Sequence, residues 1–349
     1  MKTEILKFLR DTEGYVSGQQ LSEKFGVSRT AVWKVIRQLQ EEGYQVKAVR
    51  NRGYHIVDSP DVMTEEELAS LMKTRWAGRN ILYYDMTDST NLRIKQAGDE
   101  GAPHGTLAVA DRQTAGRGRR GRAWESPAGS SIYMSVLLRP EIAPDKASML
   151  TLVMALSTAE GILQCLESPD AIRQRDSSDA ARPEGGMKRT PDLRIKWPND
   201  IIINGKKLVG ILTEMSTQID YINHVTVGVG INVNMTEFPE GLSETATSLR
   251  LECGCAIRRA PLIAAVMERL EENYEIFLET EDLSGLLDRY SALLVNRDRD
   301  VLVIGSGGEY RAHALGVERT GELIVRREDG SIEKIYAGEV SVRGVYGYV

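Results

Sequence analysis

Apolar and polar positions divide the chain into three stretches of different rhythm. In the first, apolar side chains recur at helical spacing. Ile5, Leu6, Phe8 and Leu9 share one side of a short helix that Gly14 ends. Ser17 is placed to cap a second helix carrying Leu21 and Phe25, and Ser28 to cap a third, Arg29–Glu42. On that third helix Val32, Val35, Ile36 and Leu39 recur at i, i+3, i+4 and i+7, an amphipathic stripe. Gly43 closes it. Tyr44–Arg50 and Tyr54–Val57 then alternate as strands around Asn51-Arg52-Gly53. Helix, glycine turn, capped helix and hairpin make a winged helix-turn-helix over residues 1–60.

Ser59-Pro60-Asp61 reads as a linker, and Thr64 caps a helix with Glu65, Glu66 and Glu67 in its first turn, which suits the helix dipole. The second stretch mixes periods. Strands are predicted at Ile81–Asp85, Leu107–Ala110, Ile132–Leu138, Leu193–Trp197, Asp200–Ile203, Lys207–Glu214 and His224–Val229. Helices are predicted from Ser89-Thr90-Asn91 onward and over Pro144–Glu167, Leu262–Glu279 and Leu283–Leu294. This is a mixed α/β body, residues 61–295, without strict βαβ alternation. Within it, residues 168–192 are polar, charged and nearly free of large apolar side chains. Such a segment buries too little surface to offset its ordering entropy, and reads as a mobile surface insertion without a catalytic role. The third stretch, residues 296–349, has short strands at Val301–Ile304, Tyr310–Val317, Leu323–Arg327 and Ile332–Ala337 between glycine turns. It reads as a small SH3-like β-barrel. The expected fold is therefore multidomain α+β.

Composition narrows the classes. The 349 residues are 42% hydrophobic and 27% charged, ordinary for a soluble globular protein. The longest apolar run, around Met149–Leu156, falls short of the ~20 residues that span a bilayer. The first residues mix charge into their apolar positions, so no signal peptide is expected. Three cysteines are too few for a disulfide framework, and Cys253-x-Cys255 lacks the second ligand pair of a zinc site. A cytoplasmic protein without a metal site of its own is expected. Net charge is −6, yet residues 1–60 hold ten Lys/Arg against seven Asp/Glu, a balance of +3, which leaves −9 for the rest. A basic module on an acidic body points to nucleic acid. Ser28 and the outward face of the third helix (Arg29, Thr30, Trp33, Lys34 and Arg37) are the candidate groove contacts, and Arg50 and Arg52 of the hairpin suit phosphates. The alternative is a packing or protein-docking unit.

The chemistry concentrates elsewhere. Gly116-Arg117-Gly118-Arg119-Arg120-Gly121-Arg122-Ala123-Trp124 packs three glycines and four arginines together. Glycines let backbone N–H groups nest around an anion, and arginines add forked positive charge. The glycines also fit G-x-G-x-x-G, but Pro127 and Gly129 follow where a dinucleotide site needs a helix, and no P-loop is present. The plain alternative is a solvated, flexible basic loop. A second cluster, Lys196-Trp197-Pro198-Asn199-Asp200 with Lys207-Leu208-Val209-Gly210-Ile211-Leu212, forms a hairpin that brings Asn199, Asp200 and Lys207 near one another. Trp197 reads as core and Lys206 as solvent-facing. A third piece, Gly228-Val229-Gly230-Ile231-Asn232, lacks bulk at alternate positions, so a ligand or backbone is able to come close.

With Asp88-Ser89-Thr90-Asn91 and Gln113-Thr114-Ala115, these motifs resemble the biotin–protein ligases, of the bifunctional type that is also the biotin operon repressor. The resemblance covers nearly the whole chain. It implies a core like that of class II tRNA synthetases, ATP and biotin as substrates, and Mg²⁺ carried on the ATP. It implies formation of biotinyl-5′-AMP, transfer to a lysine of a biotin carboxyl carrier domain, and a homodimer on operator DNA when the adenylate is bound. The residue roles it implies are these. Ser89, Thr90 and Gln113 hydrogen-bond the biotin ureido head, with backbone around Arg117–Arg119 closing over it, and Asn91, Gly116 and Gly118 belong to the same binding set. Arg119, with Arg122 beside it, holds phosphate; Lys207 bridges carboxylate and α-phosphate. Asn199 and Asp200 face the nucleotide and the incoming amine, Asn232 joins the binding set, and Trp124 covers the adenine. Glu125 and the 168–192 insertion depart from the pattern. A lipoate-type ligase and a catalytically silent biotin-sensing repressor are the competing readings.

Overall fold

The computed structural model describes residues 1–168, 191–218, 221–305, 308–337 and 341–344. The winged helix forms as its pattern dictates: α1 (Lys2–Asp11), α2 (Gly18–Phe25) and α3 (Arg29–Glu41), then the antiparallel hairpin β1 (Gln45–Val49) and β2 (Gly53–Asp58). Ser17 and Gln20 make a reciprocal capping box on α2, and the Ser28 hydroxyl accepts from Ala31 N at 3.2 Å. Ile5, Leu6, Leu21, Val32, Ile36 and Leu39 are sealed in a small core of their own. At Gly53, φ is +111° and a Cβ would lie 2.0 Å from Val16 O, so only glycine lets the wing hydrogen-bond back to the segment before α2.

The central body contains α4 (Glu65–Leu71), β3 (Ile81–Thr87), α5 (Thr90–Asp99), β4 (Leu107–Gln113), β5 (Ile132–Leu138), α6 (Leu150–Glu167), β6 (Leu193–Lys196) and β7 (Asp200–Ile203). It continues with β8 (Lys206–Thr217), β9 (Ile222–Ile231), α7 (Leu249–Cys253), α8 (Arg259–Thr280) and α9 (Leu287–Leu293). Its seven-stranded sheet runs β3-β4-β5-β9-β8-β7-β6, with β3–β4 parallel and the other pairs antiparallel. Strand alternation sorts the side chains. Val109, Val136 and Leu138 join α6 and α8 in the main core, whereas Ala108 and Leu137 meet Ile94 of α5 on the other face. The C-terminal strands β10 (Arg299–Gly305), β11 (Gly308–Val317), β12 (Leu323–Arg327), β13 (Ile332–Ile335) and β14 (Ser341–Gly344) form one antiparallel sheet, β13-β12-β11-β10-β14. Its apolar face, with Val301, Val303 and Val325, is continuous with the central core. Trp197, 1% exposed, is core as expected and donates its indole N–H to Gly321 O at 3.0 Å.

Several expectations need correction. The single helix expected over Pro144–Glu167 is a 3-10 turn, Pro144–Met149, followed by α6. That combined segment does have the length and mean hydropathy (1.6) of a membrane span, but 78% of the stretch is buried inside the protein. Of Leu283–Leu294 only α9 is helical, because Leu283 and Leu286 serve as buried anchors of a preceding turn. α7 and β14 were not foreseen. Ser59-Pro60-Asp61 is no loose tether: Ser59 is buried, and Asp61 is paired with Arg259 at 3.0 Å. The proposed insertion 168–192 lies outside the described residues except for positions 168, 191 and 192.

Candidate active site

One cavity gathers most of the predicted residues. It is lined by Ser89, Thr90 and Asn91 at the start of α5, Gln113 at the end of β4, Arg117, Gly118, Arg119 and Trp124 of the glycine/arginine loop, Asn199 before β7, Lys207 and Gly210 of β8, and Gly228 and Gly230 of β9. The parallel pairing of β3 and β4 sets Thr87 beside Gln113, so the turn into α5 lies against the strand that feeds the loop. Asp88 accepts from Ser89 N at 2.6 Å. Its carboxyl is held down to about 2, chiefly by hydrogen bonding to Arg93.

Behind this turn lies a polar network that runs from buried Thr90, Asn91, Ser126 and Ser135 out to exposed Glu214. Thr90 N donates to Gln113 Oε1 at 2.8 Å, and Gln113 Nε2 donates to Ser126 Oγ at 3.1 Å. Ser135 Oγ on β5 lies 2.8 Å from Thr90 Oγ1 and 2.6 Å from Asn91 Oδ1, and Asn91 Nδ2 donates to Glu214 at 2.7 Å. Fixed Gln113 and Thr90 groups therefore face the cavity with their orientation already set. Ser135 and Glu214 went unnoticed in the sequence. The one serine in the otherwise apolar and aromatic run Ile132–Leu138 was the available signal for Ser135; nothing in the local pattern marked Glu214.

The glycine-rich strand turns out to make room for the protein's own side chains. A Cβ on Gly228 would sit 2.0 Å from Asn91 Oδ1. A Cβ on Gly210 or on Gly230, paired across β8 and β9, would sit 2.7 or 2.6 Å from the Trp124 ring. Trp124 is thus a wall of the cavity packed on a glycine floor, with Lys207 Nζ 5.4 Å from its ring centroid. Its indole N–H is buried and finds no partner among the described residues.

Charge collects at one end. Lys207 Nζ is 2.6 Å from Asp200 Oδ1. Arg119 donates to Asn199 Oδ1 at 2.9 Å and to Ala337 O of the C-terminal domain. Asn199 in turn donates to Ile211 O at 2.9 Å. Burial lowers the Arg119 pKa, with Asp200 opposing it, and burial pushes the Lys196 amine down to about 8. The loop is not a free basic tether. Gly118 N donates to Arg122 O at 2.7 Å, Trp124 N donates to Gly116 O at 3.0 Å, and Arg120 takes a left-handed φ of 57°.

Four predicted residues stand apart from the lining, and Asp200 is one of them, set against Lys207 at the cavity's edge. Gly116 is spent on close packing, since a Cβ there would meet Trp124 O at 2.4 Å. Arg122 is exposed, and its backbone closes the loop. Asn232 is buried, with its amide donating to Thr247 O at 3.1 Å. Lys206 reaches Ser243 O at 3.3 Å, away from the cavity. On the winged helix, Ser28, Arg29, Thr30, Trp33, Lys34, Arg37, Arg50 and Arg52 are all exposed. Arg29 Nε donates to Gln19 Oε1 at 2.9 Å, and the Arg37 guanidinium lies 5.5 Å from the Trp33 ring centroid.

Residues 83–232 match the biotin/lipoate A/B protein ligase family, residues 2–55 a helix-turn-helix domain, and residues 297–343 the biotin protein ligase C-terminal domain. The chain is 37% identical over 330 residues to the bifunctional ligase/repressor BirA of Bacillus subtilis (strain 168), covering 94% of each. The chain belongs to the bifunctional ligase/repressor family. Against the Escherichia coli (strain K12) member identity is 30%, over 94% of this chain and 92% of that one. A biotin protein ligase from Aquifex aeolicus, solved in complex with biotin and ATP, superposes with a TM-score of 0.62 at 30% identity, covering 76% of this chain and 99% of that one.

Proposed function

We propose that this member of the ligase/repressor family is an ATP-dependent biotin–protein ligase and, through the same adenylate, a repressor of biotin synthesis or transport genes. The observation that carries the reading is the convergence of Arg119 and Lys207 on one cavity with the prepositioned Thr90–Gln113 pair. The central body is read as a class II tRNA synthetase-like core over 61–295, and residues 296–349 as an SH3-like domain.

In the first step a biotin carboxylate oxygen attacks the α-phosphorus of ATP, forming the acyl–phosphate bond and releasing pyrophosphate. In the second, the lysine ε-amine of a carrier domain attacks the acyl carbon, and AMP leaves with the carboxylate oxygen. Neither step needs a covalent nucleophile from the protein. The first needs two anions held together and the second needs an amine held against the acyl carbon, which is positional and electrostatic work. Lys207 would lie between carboxylate and phosphate, with Asp200 holding its ammonium; Asp200 would also face the incoming amine. Arg119, steadied by Asn199, would hold the phosphate and retain the adenylate. Ser89, Thr90 and Gln113 offer the paired donors and acceptors that a ureido head needs, and Trp124, expected over the adenine, is packed on Gly210 and Gly230 and would instead give the hydrocarbon part an aromatic wall. Mg²⁺ would arrive on the ATP phosphates. A cytoplasmic homodimer formed with bound adenylate would place two α3 helices on operator half-sites, ~34 Å or a multiple apart.

ATP–pyrophosphate exchange tests the reading. Biotin should drive exchange, and Lys207→Ala should reduce it by about 10²–10³-fold. Exchange driven by lipoate and not by biotin would replace this function with a lipoate ligase. No exchange with either acid would leave a sensor.

A further inference from the structure

The joint between the winged helix and the ligase core has an unusual composition. Among the described residues, the apolar cores of the two modules stay separate clusters. No shared apolar layer therefore sets the angle between them. The groups that bridge them are polar and largely buried. Arg10, at the C-terminal end of α1, reaches across to α4, where its Nη2 lies 2.6 Å from both carboxylate oxygens of Glu67. Glu67 is only 2% exposed. Arg10 also donates to Ser70, and to Ser59 in the connecting segment at 3.2 Å. The Tyr44 hydroxyl, just before the wing, donates to the same Glu67 carboxylate. At the rim, Lys2 bridges Glu42 of its own module and Glu66 of α4, at 2.8 and 3.1 Å.

The connecting segment is pinned at its far end too. Asp61 takes Arg259 N and Nε at 2.8 and 3.0 Å, and the same guanidinium reaches Asp111 of β4 at 2.7 Å. Arg259 is 4% exposed. A connection held by Arg10 at Ser59 and by Arg259 at Asp61 has no slack.

A buried ion pair contributes little net stability, because desolvation offsets its attraction, but its narrow geometry makes it good at fixing orientation. We propose that Arg10, Glu67 and Tyr44 are positioning residues for operator binding: they lock the recognition helix onto the ligase core so that docking two cores sets the distance between two recognition helices. The inference rests on the repressor reading for its consequence on DNA. Two sites on one rigid frame bind with a high effective concentration only where frame and spacing match, and a loosened frame forfeits that gain without altering either site.

The test uses the full-length protein. One variant is the double substitution Arg10→Ala with Glu67→Ala, which leaves no lone buried charge. The other inserts Gly-Ser-Gly-Ser between Pro60 and Asp61 and keeps every side chain. Spin labels at Lys34→Cys and Lys95→Cys, in a background with the native cysteines replaced, report the distance from α3 to α5, and all DNA and exchange measurements use the unlabelled proteins that keep Lys34. A narrow distribution in the parent and a broad one in both variants is expected. On a DNA fragment that the wild type protects in the presence of biotin and ATP, both variants should bind at least tenfold more weakly. Their affinity for a single half-site, and their biotin-dependent exchange, should stay within twofold of wild type. An equally narrow distance distribution in both variants would overturn the proposal, whatever the DNA result. So would equal losses on full operator and half-site, which would mean a damaged winged helix. Absence of any protected fragment with wild type would instead count against the repressor reading, and the distance measurement would still decide the joint.

Discussion

Gly230→Ala is the substitution whose outcome follows most directly from the cavity's construction. The backbone at Gly230 is extended, so alanine meets no dihedral strain. The obstacle is space: the new Cβ would lie 2.6 Å from Cε2 and Nε1 of Trp124, where ordinary contact begins at 3.4 Å. The indole must therefore retreat by roughly 1 Å, and core overpacking of that size costs about 1–3 kcal/mol. It has little freedom to do so. Trp124 N is bonded to Gly116 O at 3.0 Å, Ser126 Oγ holds Trp124 O at 2.9 Å, and Gly210 closes the other end of the ring. The displacement should pass into the cavity wall and the 116–126 loop. If the strain is relieved only by giving up the ligand-bound geometry, the Kd for biotin rises by about 5- to 150-fold. Titration calorimetry with biotin and pyrophosphate exchange read this directly. Trp124→Phe should partly rescue Gly230→Ala, since a smaller ring frees the disputed volume, so the two substitutions should be strongly non-additive. Wild-type biotin affinity in Gly230→Ala, or strictly additive losses in the pair, would refute the reasoning.

Two other outcomes follow from buried groups around the same cavity. Ser135→Ala leaves Asn91 without its 2.6 Å neighbour and should destabilise the protein by about 1–3 kcal/mol in urea unfolding, with weaker biotin binding. Lys196 is 5% exposed, and burial holds its amine near 8 against an ordinary 10.5. Between these values the unfolded chain binds more protons than the folded one, so this residue makes stability rise with pH from about 8 to about 10.5. Lys196→Met should remove that rise, measured as the difference in urea midpoint between the two proteins across the window; a constant difference would rule the lowered pKa out.

The winged helix and the motif loops were legible because their signals are local. Ser17 and Ser28 cap, Val32–Leu39 repeat at helical spacing, and the hairpins carry their own turns. The catalytic candidates Arg119, Asp200 and Lys207 were readable as residue types within short spans of chain. Local pattern also overreached. It extended a helix through Leu283–Leu294, and it treated Ser59-Pro60-Asp61 as a tether because Ser-Pro-Asp is turn chemistry in either case.

What the sequence determined by itself is the set of pieces: which spans become helix or strand, which carry positive charge, and which lack bulk. Those properties depend on neighbours within a turn or two of the chain. The tertiary structure decided their use. It filled the space over Gly210 and Gly230 with Trp124, placed Arg119 against Ala337, and joined Arg10 to Glu67 and Asp61 to Arg259. These pairs are 57 to 218 residues apart in the chain. No local periodicity encodes such contacts. They arise when burying the apolar faces of several elements brings their remaining polar groups together, and each buried group must then find its partner in whatever chain segment lies beside it.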